Sequence, residues 1–317
     1  MLGNILVTSS SSKTPLICAL QDAVRRINPN SKVIAGDINP NCVTRYVADM
    51  FWEMPPLTEE SYDRILAYCL SENVTVIFPT RDGELTYWSK HSKDFEKYNI
   101  HVLVSSLESI TLCLDKLLFS HFGEIQNLPI IPSYLSPNST ISNRWVVKER
   151  FGAGSKNIGI NLSISEALTV ATRLNNPIYQ PYVDGVEISV DGWMSKSHNL
   201  KGLILRTRDS VANGESEITT TFQDRTIEIQ VSEVLQKLQI SGHVVLQAII
   251  TNNGLIKIIE CNSRFGGAST ASIKSGLDSI YWSLLETIGV NVSEIPFERI
   301  PYDIKQIRIK SDRYVIV

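Results

Sequence analysis

Brief apolar runs, separated by polar loops and by stretches of helical spacing, open the chain. Ile5-Leu6-Val7 reads as a strand, and Ser9 to Ser12 as a polar loop. Pro15 through Ile27 carry helical periodicity, with Pro15 in the first turn and Thr14 as the N-cap. Val33-Ile34-Ala35 running to Asp37, Val74 to Phe78 and His101 to Val104 read as further strands, and Ser61 to Ser71 as a helix. This alternation through residues 1–112 predicts an α/β unit, a parallel sheet with helices on both faces. Ligands of such sheets sit at the carboxyl ends of the strands, here the loops 8–13, 37–41 and 79–84. In the last of these, Asp82 and Glu84 suit a ligand and the start of the next helix equally well.

After residue 112 the rhythm changes to α+β. A helix begins at Leu114–Phe119, and a Pro-, Ser- and Asn-rich stretch from Pro129 to Asn143 predicts turns. Strands are expected over 145–148, 157–161, 178–180, 186–193 and 201–207, with helices near 165–175 and 228–239. Leu246 to Arg264 read as a β-hairpin about Asn253-Gly254. With these two as the turn, Asn252 pairs with Leu255 and Gln247 lies across from Glu260. Period-two alternation puts Glu260, Asn262 and Arg264 on one face. Ile256 and Ile258 fall on that same face, which predicts that it is buried.

An amide, a carboxylate, a second amide and a guanidinium thus converge. Oxygen ligands of this kind suit Mg²⁺, which takes one or two carboxylates together with substrate phosphates. The arginine suits a phosphoryl group. Lys148 to Gly159 form a glycine-rich turn between two expected strands. It lacks the spacing of a P-loop or of a dinucleotide fingerprint. A mobile lysine-bearing hairpin and a loop folding over phosphates remain equal readings, since glycine lets backbone amides approach an anion.

Composition narrows the classes. Hydrophobic residues make up 43%, charged residues 20%, and the net charge is −3. That describes an ordinary globular protein with no basic field for nucleic acid or an anionic membrane. Five scattered cysteines without a C-x-x-C pair speak against a disulfide framework or zinc site and for a reducing, cytoplasmic setting. Neither a signal peptide nor a membrane-spanning run is expected.

Together these segments resemble the ATP-grasp superfamily, in the branch like the carbamoyl-phosphate synthase large subunit. The resemblance rests on Asp115-Lys116, Lys148, Gly152-Ala153-Gly154-Ser155, Gln180-Pro181-Tyr182-Val183, Gly185 to Asp191 and Glu260-Cys261-Asn262-Ser263-Arg264. It implies a Rossmann-like pre-ATP-grasp domain over residues 1–112. A two-lobed ATP-grasp domain would follow over 113–300, with the nucleotide-lid lobe within 113–183, the metal-binding lobe over 184–300, and a tail of 301–317 packing on the body. It further implies that Lys116 and Lys148 hold ATP phosphates and that Gly152, Gly154 and Ser155 form the lid. Gln180, Tyr182 and Val183 would meet adenine, and Glu187 the ribose. Gln247, Glu260 and Asn262 match the ligands of Mg²⁺ or Mn²⁺. Arg264, with Lys148, matches the catalytic position at the transferred phosphoryl group. Arg206 and Arg208 are read either as phosphate or substrate contacts or as part of a solvated edge strand.

The activity so implied is an ATP-dependent carboxylate–amine ligase working through an acyl phosphate, on small-molecule carboxylate and amine substrates, in a monomer or homodimer. The substrates are expected near Asp82, Arg206, Arg208 and Arg264, under a closing loop from Asp209 to Thr220. A nucleotide-binding module without turnover and a small-molecule kinase are the alternatives. Ser263 stands where the family often has proline, and full carbamoyl-phosphate synthesis by this one unit is not expected.

Overall fold

Five strands, β1 (Asn4–Val7), β2 (Val33–Asp37), β3 (Met50–Glu53), β4 (Val74–Phe78) and β5 (His101–Val102), pair in parallel in the order β3-β2-β1-β4-β5. The computed structural model describes all 317 residues except Ala153, Ser155, Lys156, Asn213, Lys310, Ser311 and 315–317. Helix α1 (Thr14–Ile27) covers one face of the sheet through Leu16, Ile17, Leu20 and Val24. Helices α2 (Tyr62–Ser71) and α3 (Asp82–Glu96) cover the other through Ile65, Cys69, Trp88 and Phe95. Three expectations shift. Lys13, not Thr14, precedes the first turn of α1 and makes no side-chain cap. The last strand stops at Val102 rather than Val104. Strand β3 escaped the pattern because Met50, Phe51 and Trp52 are only half-buried at the sheet edge.

The crevice between the carboxyl ends of β1 and β4 is where such a sheet offers a ligand site. Glu84 fills it. One oxygen of its buried carboxylate accepts from the Thr80 and Arg81 amides at 2.7 and 2.9 Å. The other accepts from Thr8 Oγ1, Ser9 Oγ and Trp88 Nε1 at 2.8, 3.0 and 3.2 Å. Glu84 is therefore the capping residue of α3, and the ambiguity in the sequence resolves to structure at this position.

Helices α4 (Leu107–Leu114) and α5 (Lys116–Ile125) lead into a small antiparallel sheet. Its strands are β6 (Trp145–Glu149), β7 (Gly159–Leu162) and, after α6 (Ile164–Ala171), β8 (Pro177–Pro181), in the order β7-β6-β8. A large sheet follows: β9 (Gly185–Met194), β10 (Leu200–Thr207), β11 (Ser210–Ala212), β12 (Glu215–Phe222), β13 (Gly242–Thr251), β14 (Ile256–Asn262) and β15 (Lys305–Ile307). Its order is β11-β12-β10-β9-β13-β14, with β15 alongside β12. Helices α7 (Arg225–Lys237), α8 (Ser269–Lys274) and α9 (Ser279–Thr287) flank it. One face is apolar: Ile188, Val190, Leu205, Val244, Leu246 and Ala248 pack on α7 and on Cys113 and Phe119 of α4 and α5. The boundary drawn at residue 112 therefore falls inside a helix that serves the large sheet. The segment from Asp209 to Thr220, expected as a closing loop, is instead the hairpin β11–β12.

The hairpin β13–β14 departs from its predicted register twice, and the departures cancel. Thr251 N donates to Leu255 O at 2.9 Å and Gly254 N to Thr251 O at 2.8 Å, so the turn holds three residues, 252–254. Gly254 takes the left-handed φ of +77° that such a loop needs. Pairing near the turn is thereby one residue out, with Ala248 opposite Ile258. A bulge at Ile259 then restores Gln247 opposite Glu260. One extra residue also flips the faces. Ile256 and Ile258 share the apolar core with Cys261. Glu260 and Asn262 point to the opposite face, half-exposed, so the sequence-based expectation that they share a buried face with the two isoleucines is incorrect.

Candidate active site

Glu260, on the large sheet, is where α5 and the small antiparallel sheet bring their lysines together. Lys116, in the first turn of α5, sets its Nζ 3.7 Å from Glu260 Oε2, and Lys148, on β6, sets its Nζ 4.0 Å from the same oxygen. Asp115 makes the first position possible. It caps α5 by accepting the Leu117 and Leu118 amides, and it holds Arg150 bidentately at 2.7 and 2.6 Å. Lys116 also donates to the Gly152 carbonyl at 2.7 Å, tying the helix to the glycine-rich turn. Two ammonium groups around one carboxylate leave the spot with excess positive charge, the condition for receiving an anion.

Burial dominates the state of Lys148 and lowers its pKa to about 8. Glu260 and Glu187 oppose that shift, and Lys116 adds to it. Gln247 on β13 and Asn262 on β14 extend the face on either side of Glu260. Glu187 on β9 faces Arg208, whose Nε lies 3.0 Å from Glu187 Oε1. Arg208 also donates to Ser189 Oγ and to the Gly214 carbonyl. Among the described residues no cluster of three or more His, Cys, Asp or Glu is set to hold a metal. One carboxylate and two amide oxygens are a hard, incomplete donor set. They fit a divalent cation that takes its remaining ligands from phosphate oxygens.

The remaining candidates divide. Gly152 and Gly154 lie in the described turn, Gly154 at φ +76°, while Ser155 lies outside the described residues. The Gln180 side chain is buried and its amide nitrogen donates to Ser133 Oγ at 3.0 Å, tying β8 to the segment after α5. Tyr182 and Val183 follow β8, half-buried, at the junction of the two antiparallel sheets. Arg264 is held by Asp82: its Nε donates to Oδ1 at 2.7 Å and its Nη2 to Oδ2, linking the first unit to the large sheet. Arg206 corrects both of its readings. It lies on an interior strand, 2% exposed, bonded to Asp191 and Thr219, and faces neither solvent nor a substrate.

Sequence reasoning missed two clusters. Asp191 is fully buried and accepts from Arg206, Ser269 and Ser272, with His243 Nε2 at 3.0 Å. His243 stacks on Phe265, centroids 3.9 Å apart. The signal was present: Asp191 shares strand phase with Glu187 and Ser189, opposite Ile188 and Val190. The second cluster joins distant segments. Glu215 meets Lys13 at 3.5 Å and Arg308 at 2.9 Å, while Arg308 also donates to the Gly267 carbonyl. No local pattern announces that meeting.

Comparison with known proteins agrees with this architecture. The family described as PylC-like, N-terminal domain matches residues 5–103, and the family described as ATP-grasp in the biosynthetic pathway with Ter operon matches residues 173–309. The carbamoyl phosphate synthase large chain of Thermotoga neapolitana is 22% identical over 76% of this chain. The arginine-specific mitochondrial large chain of Neurospora crassa is 23% identical over 64%. The matched region is 24% and 19% of those two relatives, so the chain spans about a quarter of their length or less. Biotin carboxylase of Campylobacter jejuni superimposes with a TM-score of 0.73 at 15% identity, over 92% of this chain and 72% of that one. N5-carboxyaminoimidazole synthetase of Staphylococcus aureus, solved with ADP, gives 0.69 at 16% identity, over 91% and 78%. L-amino acid ligase of Bacillus licheniformis gives 0.72 at 13% identity, over 94% and 77%. Family matches and fold together support a PylC-like N-terminal unit followed by a unit with the ATP-grasp fold, similar to the carbamoyl phosphate synthase large chain.

Proposed function

We propose that the protein is an ATP- and Mg²⁺-dependent carboxylate–amine ligase that proceeds through an acyl phosphate. The observation that carries this reading is the convergence of Lys116 and Lys148 on Glu260, flanked by Gln247 and Asn262. Lys116 and Lys148 bind the phosphates by charge, and the turn at Gly152–Gly154 covers them. Tyr182 and Val183 offer backbone groups to the adenine, and Glu187 meets the ribose. Gln247, Glu260 and Asn262 would hold a Mg²⁺, which would supply charge neutralisation at the phosphates. Arg264 meets the developing charge of the transferred phosphoryl group, and Asp82 sets its orientation. Arg208 stands nearest to Glu187 as a contact for a carboxylate substrate.

No protein nucleophile is needed. The substrate carboxylate attacks the γ-phosphoryl group, ADP departs, and the amine then displaces phosphate to form the amide. Catalysis rests on positioning and on preorganised charge. The named activities of structural neighbours, an L-amino acid ligase and N5-carboxyaminoimidazole and phosphoribosylglycinamide synthetases, support this class. A neighbouring biotin carboxylase domain of Hydrogenobacter thermophilus was solved with MgADP, which supports the metal.

The test is an ADP-release screen over amino acids and small carboxylates paired with amines, with mass analysis of each hit. Glu260→Ala and Lys148→Ala are expected to lose turnover by at least about 100-fold while remaining folded. Full turnover in both variants would remove the assignment. A phosphorylated product with no free phosphate would instead identify a kinase using the same ATP site.

A further inference from the structure

A cavity of about 480 Å³ lies between the parallel-sheet unit and the large sheet, beyond the ATP face. Of the site residues above, only Arg264 lines it. Its far wall includes Gly242 and His243 at the start of β13. Gln247 is four residues further along that strand, about 14 Å at the ordinary rise. The volume falls within the range typical of small-molecule pockets.

Three features of the lining bear on what it takes. Ser263 lines the cavity at 7% exposure, and its enclosed Oγ has no hydrogen-bond partner among the described residues. Glu286 accepts only the Lys196 amide, at 3.1 Å, and has no ion pair among the described residues. Burial raises its carboxyl pKa, only partly opposed by the Lys196 amide and then the Lys196 ammonium, and a further cationic group placed beside it would relieve that cost. Lys93 and Lys196 also line the cavity without an ion pair among the described residues. His101 sits 3.9 Å from Glu96, and its pKa is lowered, first by burial and then by Lys196, so it adds little positive charge near neutrality. Two carboxylates, Glu96 and Glu286, and two ammonium groups line the walls, and the Arg264 guanidinium is already matched by Asp82, so the charges balance. A purely anionic or purely cationic guest gains little net charge attraction there, while a dipolar one meets both signs. Phe78, Val104 and Phe265 supply an apolar floor for a side chain.

We propose that this cavity is a second ligand site for a small zwitterion, an α-amino acid being the simplest. The ammonium group faces Glu286 and the carboxylate faces Lys196. Occupancy abuts Arg264 and Phe265, the loop that leaves β14, so the guest is placed to sense or bias the phosphoryl end of the neighbouring site.

The experiment uses the full chain without nucleotide. Isothermal titration and thermal unfolding are measured with the common α-amino acids, and with carboxylic acids and amines that each lack one of the two groups. At least one amino acid is expected to bind and raise the melting temperature, with its one-group analogues at least about tenfold weaker. Glu286→Gln and Lys196→Ala should each weaken binding about tenfold or more and leave nucleotide affinity unchanged, which also reports that both variants are folded. Absence of binding across the amino acids, equal binding of a one-group analogue, or unchanged affinity in either variant would overturn the proposal. None of these outcomes bears on the ATP site, which is read separately with nucleotide.

Discussion

At the scale of the residue, Lys148 is the most informative side chain. Burial lowers its pKa to about 8, against an unfolded value near 10.4. A lysine whose folded pKa is depressed leaves the unfolded chain holding more protons between those two values. Stability contributed by this group therefore rises with pH across that window, and its cost is fully present below pH 8. Phosphate binding has the opposite demand, because it needs the ammonium. Nucleotide affinity is expected to fall about tenfold from pH 7 to pH 9 in the native protein, and to be weaker and nearly flat in Lys148→Met. Calorimetric titration at three pH values checks this, and a parallel slope in both proteins would show that another group is responsible. Both lysines were assigned to the phosphates from the family resemblance, without a partner that local pattern could name. Their common partner, one oxygen of Glu260, belongs to a different element from either of them.

At the scale of the element, the bulge at Ile259 decides which side of β14 carries chemistry. It converts a strand that would bury Glu260 beside Ile258 into one that buries Cys261 and turns Glu260 outward. Deleting Ile259 makes Ala248–Ile258 and Gln247–Glu260 consecutive pairs, so Glu260 and Cys261 keep their faces; nucleotide binding is expected to survive, with stability changed by about 2 kcal/mol or less. Ile259→Val, at a half-exposed position, should change stability by about 1 kcal/mol or less and keep binding. Urea unfolding with nucleotide titration checks both. A deletion that loses binding would mean that the local twist of the bulge, beyond the choice of face, positions Glu260. Alternation of apolar and polar residues revealed the hairpin, because period two is a local property. The bulge was not legible, because an extra residue is tolerated or rejected by the partner strands β13 and β9 and by α7 beneath them.

At the scale of the whole molecule, buried charge joins the parts. Burial by itself raises the Asp191 carboxyl, but Arg206 first and His243 next outweigh it and hold it well below the usual carboxylate range. Its stabilising contribution is present above the unfolded value near 4 and is lost as pH falls. Asp191→Asn leaves the Arg206 guanidinium buried without its counter-charge and is expected to lower stability by about 3–5 kcal/mol. Equilibrium urea unfolding at pH 7 measures it, and a loss below about 1 kcal/mol would show that water or rearrangement replaces the pair. Glu84 plays the comparable part in the first unit. Its carboxylate occupies the crevice at the ends of β1 and β4, so the ligand face of the molecule passes to the large sheet, with Asp82 and Arg264 as the link.

The sequence by itself determined most of the elements and the two classes of sheet, because periodicity and turn chemistry act over a few residues; the residues assigned to a triphosphate came from the family resemblance. It also placed Gln247 against Glu260, although by two shifts that compensate. Tertiary structure alone decided that Arg206 is interior, that Glu84 serves the fold, and that Lys116 and Lys148 share one carboxylate. Those outcomes depend on desolvation and on charge partners tens of residues away. No local pattern encodes how much water a side chain loses or which distant group replaces it.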